Sequence, residues 1–275
     1  MHVEIMAIGD ELTSGHRVDT NSAWISQQLR SLGISTARHI TVPDQPQGLR
    51  AAILDSATRS HIVISTGGLG PTADDITREI LADVAGLTLE TDPRMLEHIR
   101  QLFQSRGREM PQSNQVQAQR PAASDWIENP HGTAPGIAMT FQLGEYSCRW
   151  LALPGVPAEM HEMWSASLIP AIQKLNPHRT SIVVRQLRCF GVGESNLESQ
   201  LPRELLRGGN PEIGITVSRG TITLRITATG PTTSDAASLI EPVVCEIEES
   251  LGDLIFGSEN EELHDVLLRD FAQRG

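Results

Sequence analysis

The sequence predicts an α/β protein: a mostly parallel sheet with helices on both faces, followed by a small α+β unit. Three observations carry this expectation. Strand-like and helix-like segments alternate through roughly the first 172 residues, as they do in parallel sheets built from βαβ units. Two short apolar runs, HIVIS at 61–65 and WLAL at 150–153, have the character of strands covered on both faces. Beyond residue 176 the order becomes strand, helix, two strands around a tight turn, then helix.

In chain order, Val3–Ile8 reads as the first strand and ends at Gly9-Asp10-Glu11. A helix follows, with Asn21 or Ser22 as N-cap, Trp24, Ile25, Leu29 and Leu32 at helical spacing, and Gly33 closing it. Thr36–Val42 is the second strand and Pro43-Asp44 its turn, and Leu49, Ile53, Leu54 and Ala57 mark the next helix. The strand HIVIS runs into the loop Thr66–Thr72, and a helix over Asp74–Ala85 stops at Gly86. Asp92 to Arg108 is a charged amphipathic helix, and the polar, Gln-rich segment Pro111–Pro121 is either an exposed flap or a lid. Gly132–Gly136 is a turn leading to the strand Ile137–Phe141. Trp150–Leu153 precedes the turn Pro154–Pro157 and a helix reaching about Leu175. Asn176-Pro177-His178 reads as a boundary.

The second unit is predicted as a strand over Ile182–Phe190, a helix over Glu194–Leu206, a hairpin of Ile213–Val217 and Thr221–Thr229 about Ser218-Arg219-Gly220, and a helix over Ser234–Leu251. The domains implied are 1–175, 178–257 and a helical tail from 258 to 275. The tail has Leu263, Val266, Leu267 and Phe271 at helical spacing, and it either packs on the second domain or opens a third domain.

Composition narrows the function. The 275 residues carry 22 basic and 34 acidic side chains, a formal net charge of −12, which argues against attraction to nucleic acid or to an anionic membrane. Aromatic residues are 4% of the chain, too few for stacking platforms along single strands. No apolar run approaches the roughly 18–20 residues needed to span a bilayer. The N-terminus lacks the basic segment of a signal peptide. Cys148, Cys189 and Cys245 are scattered and odd in number, which suits reduced thiols in a cytoplasmic protein.

The segment STGGLGPTADDITRE (65–79) is the most informative. A buried strand enters a glycine-rich turn and then a helix. Gly67, Gly68 and Gly70 allow positive φ and close approach of a ligand, and a helix N-terminus offers free N–H groups to an anion. Thr72 and Asp75 have the spacing of a capping box. The alternative is a well-capped turn that binds nothing. Acids stand after three predicted strands: Asp10 and Glu11, Asp44, and Asp74 and Asp75. Ligands of open parallel sheets bind beyond the carboxyl ends of the strands. Acids beside a phosphate call for a cation, and oxygen ligands suit Mg²⁺ or Mn²⁺. Taken singly, each acid also reads as a turn or cap residue. Leu151–Met160 (LALPGVPAEM) brings a third turn, with Pro154, Gly155 and Glu159, to the same edge. No GxSxG nucleophile motif is present.

The order IGDEL, VDTN, VPDQ, STGGLGPTADDITRE, GREMP, NPHGTAPG and LPGVPAEM resembles the CinA family, whose N-terminal domain has a three-layer, molybdopterin-binding MoaB/MogA-like fold. FGVGES and NPEIGITV resemble its KH-like domain. The resemblance implies metal-dependent hydrolysis of ADP-ribose, with Mg²⁺, Mn²⁺ or Co²⁺ and a monovalent cation such as K⁺ as candidate cofactors, a nucleotide substrate and a homodimer. It assigns Asp44 and Asp75 as functional acids and matches Asp10 to the acid after the first strand. With Asp10, Asp44 and Asp75 as metal ligands, the substrate contacts expected are Glu11, Asn21, Thr66, Gly67, Gly68, Gly70, Thr72, Asp74, Asn114, Gly132, Thr133, Pro154, Gly155 and Glu159. A non-catalytic pterin- or nucleotide-binding module is the alternative. Two departures stand out. Many relatives continue into a nicotinamide-nucleotide deamidase domain, so deamidation is not expected of this chain. Relatives also often carry a basic residue where this chain has Asn114-Gln115-Val116-Gln117. The small domain lacks a basic GxxG loop, so its KH-like character does not imply RNA binding.

Overall fold

A computed structural model describes residues 1–144, 146–175, 181–201, 206, 209–218 and 220–274. The chain divides into two compact units, one built on residues 1–30 and 34–177, the other on residues 31–33 and 178–275.

In the first unit, β1 (Val3–Ile8) is buried along its whole length and pairs in parallel with β2 (Thr36–Val42) and β3 (Ile62–Thr66). Between β1 and β2 lie α1 (Asp10–Thr13), a single unpredicted turn, and α2 (Thr20–Ser31). The N-terminal cap of α2 is Asp19, whose carboxylate accepts the Ser22 N–H at 2.9 Å, rather than Asn21 or Ser22. Helix α3 (Pro46–Arg59) has Pro at its first position, where the missing N–H costs nothing. Helix α4 (Thr77–Ala85) stops at Gly86, which is left-handed with φ 65°. It starts three residues later than predicted, because residues 74–76 belong to the glycine loop.

Strands β4 (Leu89–Thr91) and β5 (Gln119–Pro121) form a separate antiparallel pair around α5 (Pro93–Ser105), which Asp92 caps through the Arg94 N–H at 2.8 Å. Between α5 and β5, residues Gln112–Ala118 make 3₁₀ turns with Asn114 and Gln117 buried. The polar segment is therefore partly buried rather than an exposed flap, and its Gln117 lines the cavity described below. Its polar residues bury because they bond each other, Asn114 Nδ2 donating to Gln117 Oε1 at 2.7 Å.

The sheet ends with β6 (Asp125–Ile127), β7 (Gly136–Leu143) and β8 (Tyr146–Leu153). Its order is β2-β1-β3-β8-β7-β6, parallel from β2 to β8 and antiparallel at β7 and β6. Trp150 and Phe141 meet edge-to-face at 5.6 Å in the core, and the Trp150 indole donates to Ser65 Oγ at 2.9 Å. Helices α6 (Pro157–Met163) and α7 (Ile169–Leu175) are continuous through a π-helical stretch over Trp164–Leu168. Pro170, which has no N–H for the preceding turn, accounts for the wider winding there. The predicted boundary at Asn176-Pro177-His178 lies outside the described residues.

In the second unit, β9 (Ser181–Cys189), β10 (Glu212–Ser218), β11 (Thr221–Gly230) and β12 (Ile255–Ser258) form an antiparallel sheet in the order β10-β11-β9-β12. Helix α8 spans Glu194–Glu198, shorter than predicted; residues 202–205 of that prediction, and Arg219 of the hairpin turn, lie outside the described residues. Helix α9 (Thr233–Leu251) opens with a capping box of Thr232 and Asp235, and its Ile240 and Ile247 bury against Leu224 and Ile226 of β11. Strand β12 was not predicted, since four residues give little periodicity. Helix α10 (Leu263–Arg274) follows it and is tied down at its start by Arg188, which donates to Glu262 at 2.8 Å. Its Leu263 and Val266 are half-buried while Leu267, Leu268 and Phe271 are exposed, so only part of the tail's apolar stripe is covered.

Among the described residues no helix is long and apolar enough to cross a membrane. All three cysteines are free. Burial pushes the Cys148 and Cys189 thiols up to about 12 and about 11, so neither is a ready nucleophile.

Candidate functional site

The carboxyl ends of β1, β3 and β8 open into one cavity of about 540 Å³. Most of the predicted site meets there. Glu11 and Asp44 line it from one side, Gly67, Gly68, Gly70, Asp74 and Asp75 from the glycine loop, and Thr133, Pro154, Gly155 and Glu159 from the loops around β7 and β8. This is the crevice that strand-end topology favours.

The glycine loop is built by close approach. Gly67 and Gly68 have φ 104° and 65°, and a Cβ on Gly67 would lie 2.1 Å from the Ile8 carbonyl oxygen. Gly70 is required for space rather than for a positive φ: a Cβ there would lie 2.4 Å from an Asp75 oxygen. The loops after β3 and β8 also abut, since a Cβ on Gly155 would rest 3.6 Å from Gly67 Cα.

Asp75 turns back into the loop. Its Oδ1 accepts the Gly70 N–H at 2.7 Å, and its Oδ2 accepts the Thr72 N–H at 2.9 Å and the Thr72 hydroxyl. This corrects the expected cradle: the N–H groups of Gly70 and Thr72 already hold an internal carboxylate. The start of α4 is likewise occupied, with Thr77 N donating to the Gly68 carbonyl at 3.1 Å. The N–H groups of Gly68, Leu69 and Gly155 are among those at this edge that have no partner among the described residues. Beneath the loop, Arg78 is 2% exposed and donates from Nη2 to the Gly70 carbonyl at 2.6 Å. Burial lowers its pKa, opposed by the charges of Glu79 and Asp75.

Asp10 and Asp44 bind each other reciprocally. Asp10 N donates to Asp44 Oδ2 at 3.0 Å, and Asp44 N donates to Asp10 Oδ1 at 3.1 Å. Burial pushes the Asp44 carboxyl above its usual range. The backbone N–H of Asp10 opposes that rise, and the charges of Asp10, Asp74 and Glu11 add to it. Among the described residues no three His, Cys, Asp or Glu side chains converge as a metal cluster, so Asp10, Asp44 and Asp75 do not form the expected three-carboxylate site. The physical reason is the diversion of Asp75 into its own loop. Asp10 and Asp44 remain as a pair, and Mg²⁺-type ions are commonly held by one or two carboxylates with phosphate oxygens and water.

The other predicted residues act around the cavity. Asp10 lines an adjoining open hollow with Glu11. Asn21 Nδ2 donates to the Gly155 carbonyl at 3.0 Å and so supports the wall. Thr66 is buried at the end of β3, and Thr72 holds Asp75. Asn114 is buried behind Gln117, which is the member of that segment lining the cavity. Gly132 packs against Glu159 and Asn129. Sequence reasoning missed Arg17 and Gln117, which line the cavity, and Arg78 below it. Arg78 stands inside the glycine-loop motif, and its apolar neighbours Ile76 and Ile80 were the available signal that this helix face turns inward.

Residues 4–174 match the family model described as a probable molybdopterin binding domain, and residues 184–257 match that of the damage-inducible protein CinA KH domain. A CinA-like protein of Synechococcus sp. (strain RCC307) is 39% identical over 272 residues, covering 98% of this chain and 64% of that protein. A putative competence-damage inducible protein of Oceanobacillus iheyensis is 35% identical over 272 residues, covering 99% and 64%. The chain thus spans just under two thirds of the length of these curated relatives. The crystal structure of the protein CinA with unknown function from Thermoplasma acidophilum is similar at a TM-score of 0.54 and 32% identity, covering 62% of this chain and 96% of that one.

Proposed function

The chain belongs to the CinA family, and on that basis we propose that its first unit hydrolyses the phosphoanhydride of a nucleoside diphosphate sugar of the ADP-ribose type. The observation that carries this reading is the facing of two surfaces across one cavity. On one side stands Asp44, bonded reciprocally to Asp10 of the adjoining hollow and raised by the charges of Asp10, Asp74 and Glu11. On the other stand the glycine loop and the turn after β8, where the N–H groups of Gly68, Leu69 and Gly155 have no partner among the described residues. Donors of that kind suit phosphate oxygens, and an acid pair suits a phosphate only through a cation.

Asp10 and Asp44 would hold a divalent cation, Mg²⁺, Mn²⁺ or Co²⁺; bound there, such an ion neutralises phosphate charge and acidifies water. The chain's own residues do the rest. Gly68, Leu69 and Gly155 orient the diphosphate through their N–H groups. Asp44, whose carboxyl burial pushes above its usual range, would accept the proton of the attacking water as the water oxygen bonds to phosphorus and the bridging P–O bond breaks. The products are a nucleoside monophosphate and a sugar phosphate. A homodimer in the cytoplasm, and a K⁺ requirement, belong to the same proposal. Light scattering and activity with K⁺ replaced by Na⁺ check the dimer and the K⁺ requirement.

The test is release of AMP from ADP-ribose with each divalent ion against an EDTA control. Release above that control supports the reading, and none overturns it. One observation favours a second reading, a module that binds a pterin or nucleotide without turnover: Asp75 is engaged by Gly70 and Thr72 instead of joining Asp10 and Asp44. Calorimetry that finds binding of ADP-ribose, AMP or molybdopterin with no product formed selects it.

A further inference from the structure

Among the described residues that line the strand-end cavity, Arg17 is alone in carrying a positive charge; Glu11, Asp44, Asp74, Asp75 and Glu159 are acids. An arginine among so many carboxylates would ordinarily pair with one of them. Arg17 has neither an ion-pair nor a side-chain hydrogen-bond partner among the described residues. The acids are engaged by other donors. Asp75 accepts the N–H groups of Gly70 and Thr72, Asp44 accepts that of Asp10, and Glu159 accepts the Asn129 amide at 2.6 Å. The Arg17 side chain is exposed, and the donors of its guanidinium stay open to a ligand.

The backbone beneath it is braced. Gly15 is left-handed with φ 75°, which turns the chain back so that Arg17 N donates to the Glu11 carbonyl at 2.9 Å. Ahead of the bend, Ser14 N donates to the Asp10 carbonyl at 2.9 Å. Beyond it, Asp19 caps α2, and Asn21 ties the start of that helix to the Gly155 carbonyl at 3.0 Å. Arg17 therefore stands on a fixed bend, bonded to the residue that lines the cavity beside Asp44.

We infer that Arg17 binds the second phosphate of a diphosphate ligand and so selects diphosphates over monophosphates. The inference rests on the hydrolase reading above and adds what chooses its substrate. One phosphate placed at the N–H groups of the glycine loop and of the turn after β8 leaves its neighbour to reach the part of the cavity lined by Glu11, Asp44 and Arg17. The carboxylates there repel it. A guanidinium offers it permanent charge and a planar fork that matches two phosphate oxygens. Arg17 has no acid of its own to neutralise, so its charge is directed to the ligand.

The test uses the full chain with Mg²⁺ and titrates AMP, inorganic pyrophosphate and α,β-methylene-ADP, whose P–C–P bridge resists hydrolysis, by calorimetry. Turnover of ADP-ribose is measured alongside. Arg17→Gln is expected to weaken α,β-methylene-ADP binding by about tenfold or more and AMP binding by less than about threefold. Arg17→Lys keeps the charge without the fork and is expected to recover part of the loss. Melting temperatures of both variants are expected to match the wild type, because the side chain is exposed and unpartnered among the described residues. Equal losses for the two nucleotides overturn the inference, as does unchanged α,β-methylene-ADP binding in Arg17→Gln. If α,β-methylene-ADP binds and ADP-ribose is not hydrolysed, the hydrolase reading fails while the variant comparison still decides Arg17. If neither nucleotide binds the wild type, pyrophosphate decides it. Pyrophosphate binding that Arg17→Gln abolishes supports the inference, and no pyrophosphate binding overturns it.

Discussion

Strand β1 carries one carboxylate near its start and delivers another just past its end, and the molecule treats the two in opposite ways. Glu4 is fully buried and accepts from Arg59 Nε at 2.6 Å and Nη2 at 2.9 Å. Burial alone would raise its pKa, but the Arg59 hydrogen bonds and charge outweigh that and hold it below the usual carboxylate range. Asp10, at the other end, meets Asp44 instead of a cation, and Asp44 is pushed up by burial and by the neighbouring acids. A carboxylate paired with a guanidinium belongs to the architecture. Asp10 and Asp44 instead accept each other's backbone N–H groups while neighbouring acids keep Asp44 raised, and perturbed acids in a cleft often mark functional sites.

The largest expected effect falls on the unpaired end. Asp44→Asn keeps an oxygen for the Asp10 N–H but cannot take a proton, so ADP-ribose hydrolysis should fall by about 10²–10⁴-fold. The same variant should unfold at a higher temperature in EDTA at neutral pH, because it removes the repulsion. Unchanged turnover would take Asp44 out of the chemistry and erase the contrast between the two ends. Next in size, Glu4→Gln leaves Arg59 half-paired and should cost on the order of 3 kcal/mol in denaturant unfolding, with turnover per folded molecule unaltered.

The pH dependences should run in opposite senses. Glu4 has a depressed folded value, so its stabilisation is complete above the unfolded carboxylate range and is lost as pH falls through the folded value. Asp44 has a raised folded value, so its contribution is present below the unfolded range and is lost as pH rises through the raised one. Thermal melts of the wild type, Asp44→Asn and Glu4→Gln across the acid range separate the two. Above the raised value, Mg²⁺ or Mn²⁺ should lift the melting temperature of the wild type and not that of Asp44→Asn, by mass action on the folded state. The smallest effect concerns Asp75. Asp75→Asn can accept only one of the two loop N–H bonds and should cost about 1 kcal/mol. If it also abolishes hydrolysis while melting remains near the wild-type value, Asp75 leaves its loop during the reaction.

Much of this was legible in the sequence. The parallel strands announced themselves because burial on both faces demands continuous apolar runs, as in β1 and β3, and the residues that end them lie at one edge by topology alone. Glycines 67 and 68 were readable because left-handed backbone excludes other side chains at little context cost. The short strands β4, β6 and β12 escaped because three or four residues carry no usable period. Asn114 and Gln117 were misplaced because a polar pair that satisfies itself looks, in sequence, the same as polar residues facing water.

The sequence by itself determined the fold class, the order of the elements, the glycine turn and the three acidic loops, all of which follow from local periodicity and backbone sterics. Only the tertiary structure decided which acids meet. Asp10 finds Asp44 across 34 positions of chain, while Asp75 finds the N–H groups of its own loop. Side-chain direction and competition for hydrogen bonds settle that choice, and both depend on how the strand ends pack rather than on the spacing of the residues.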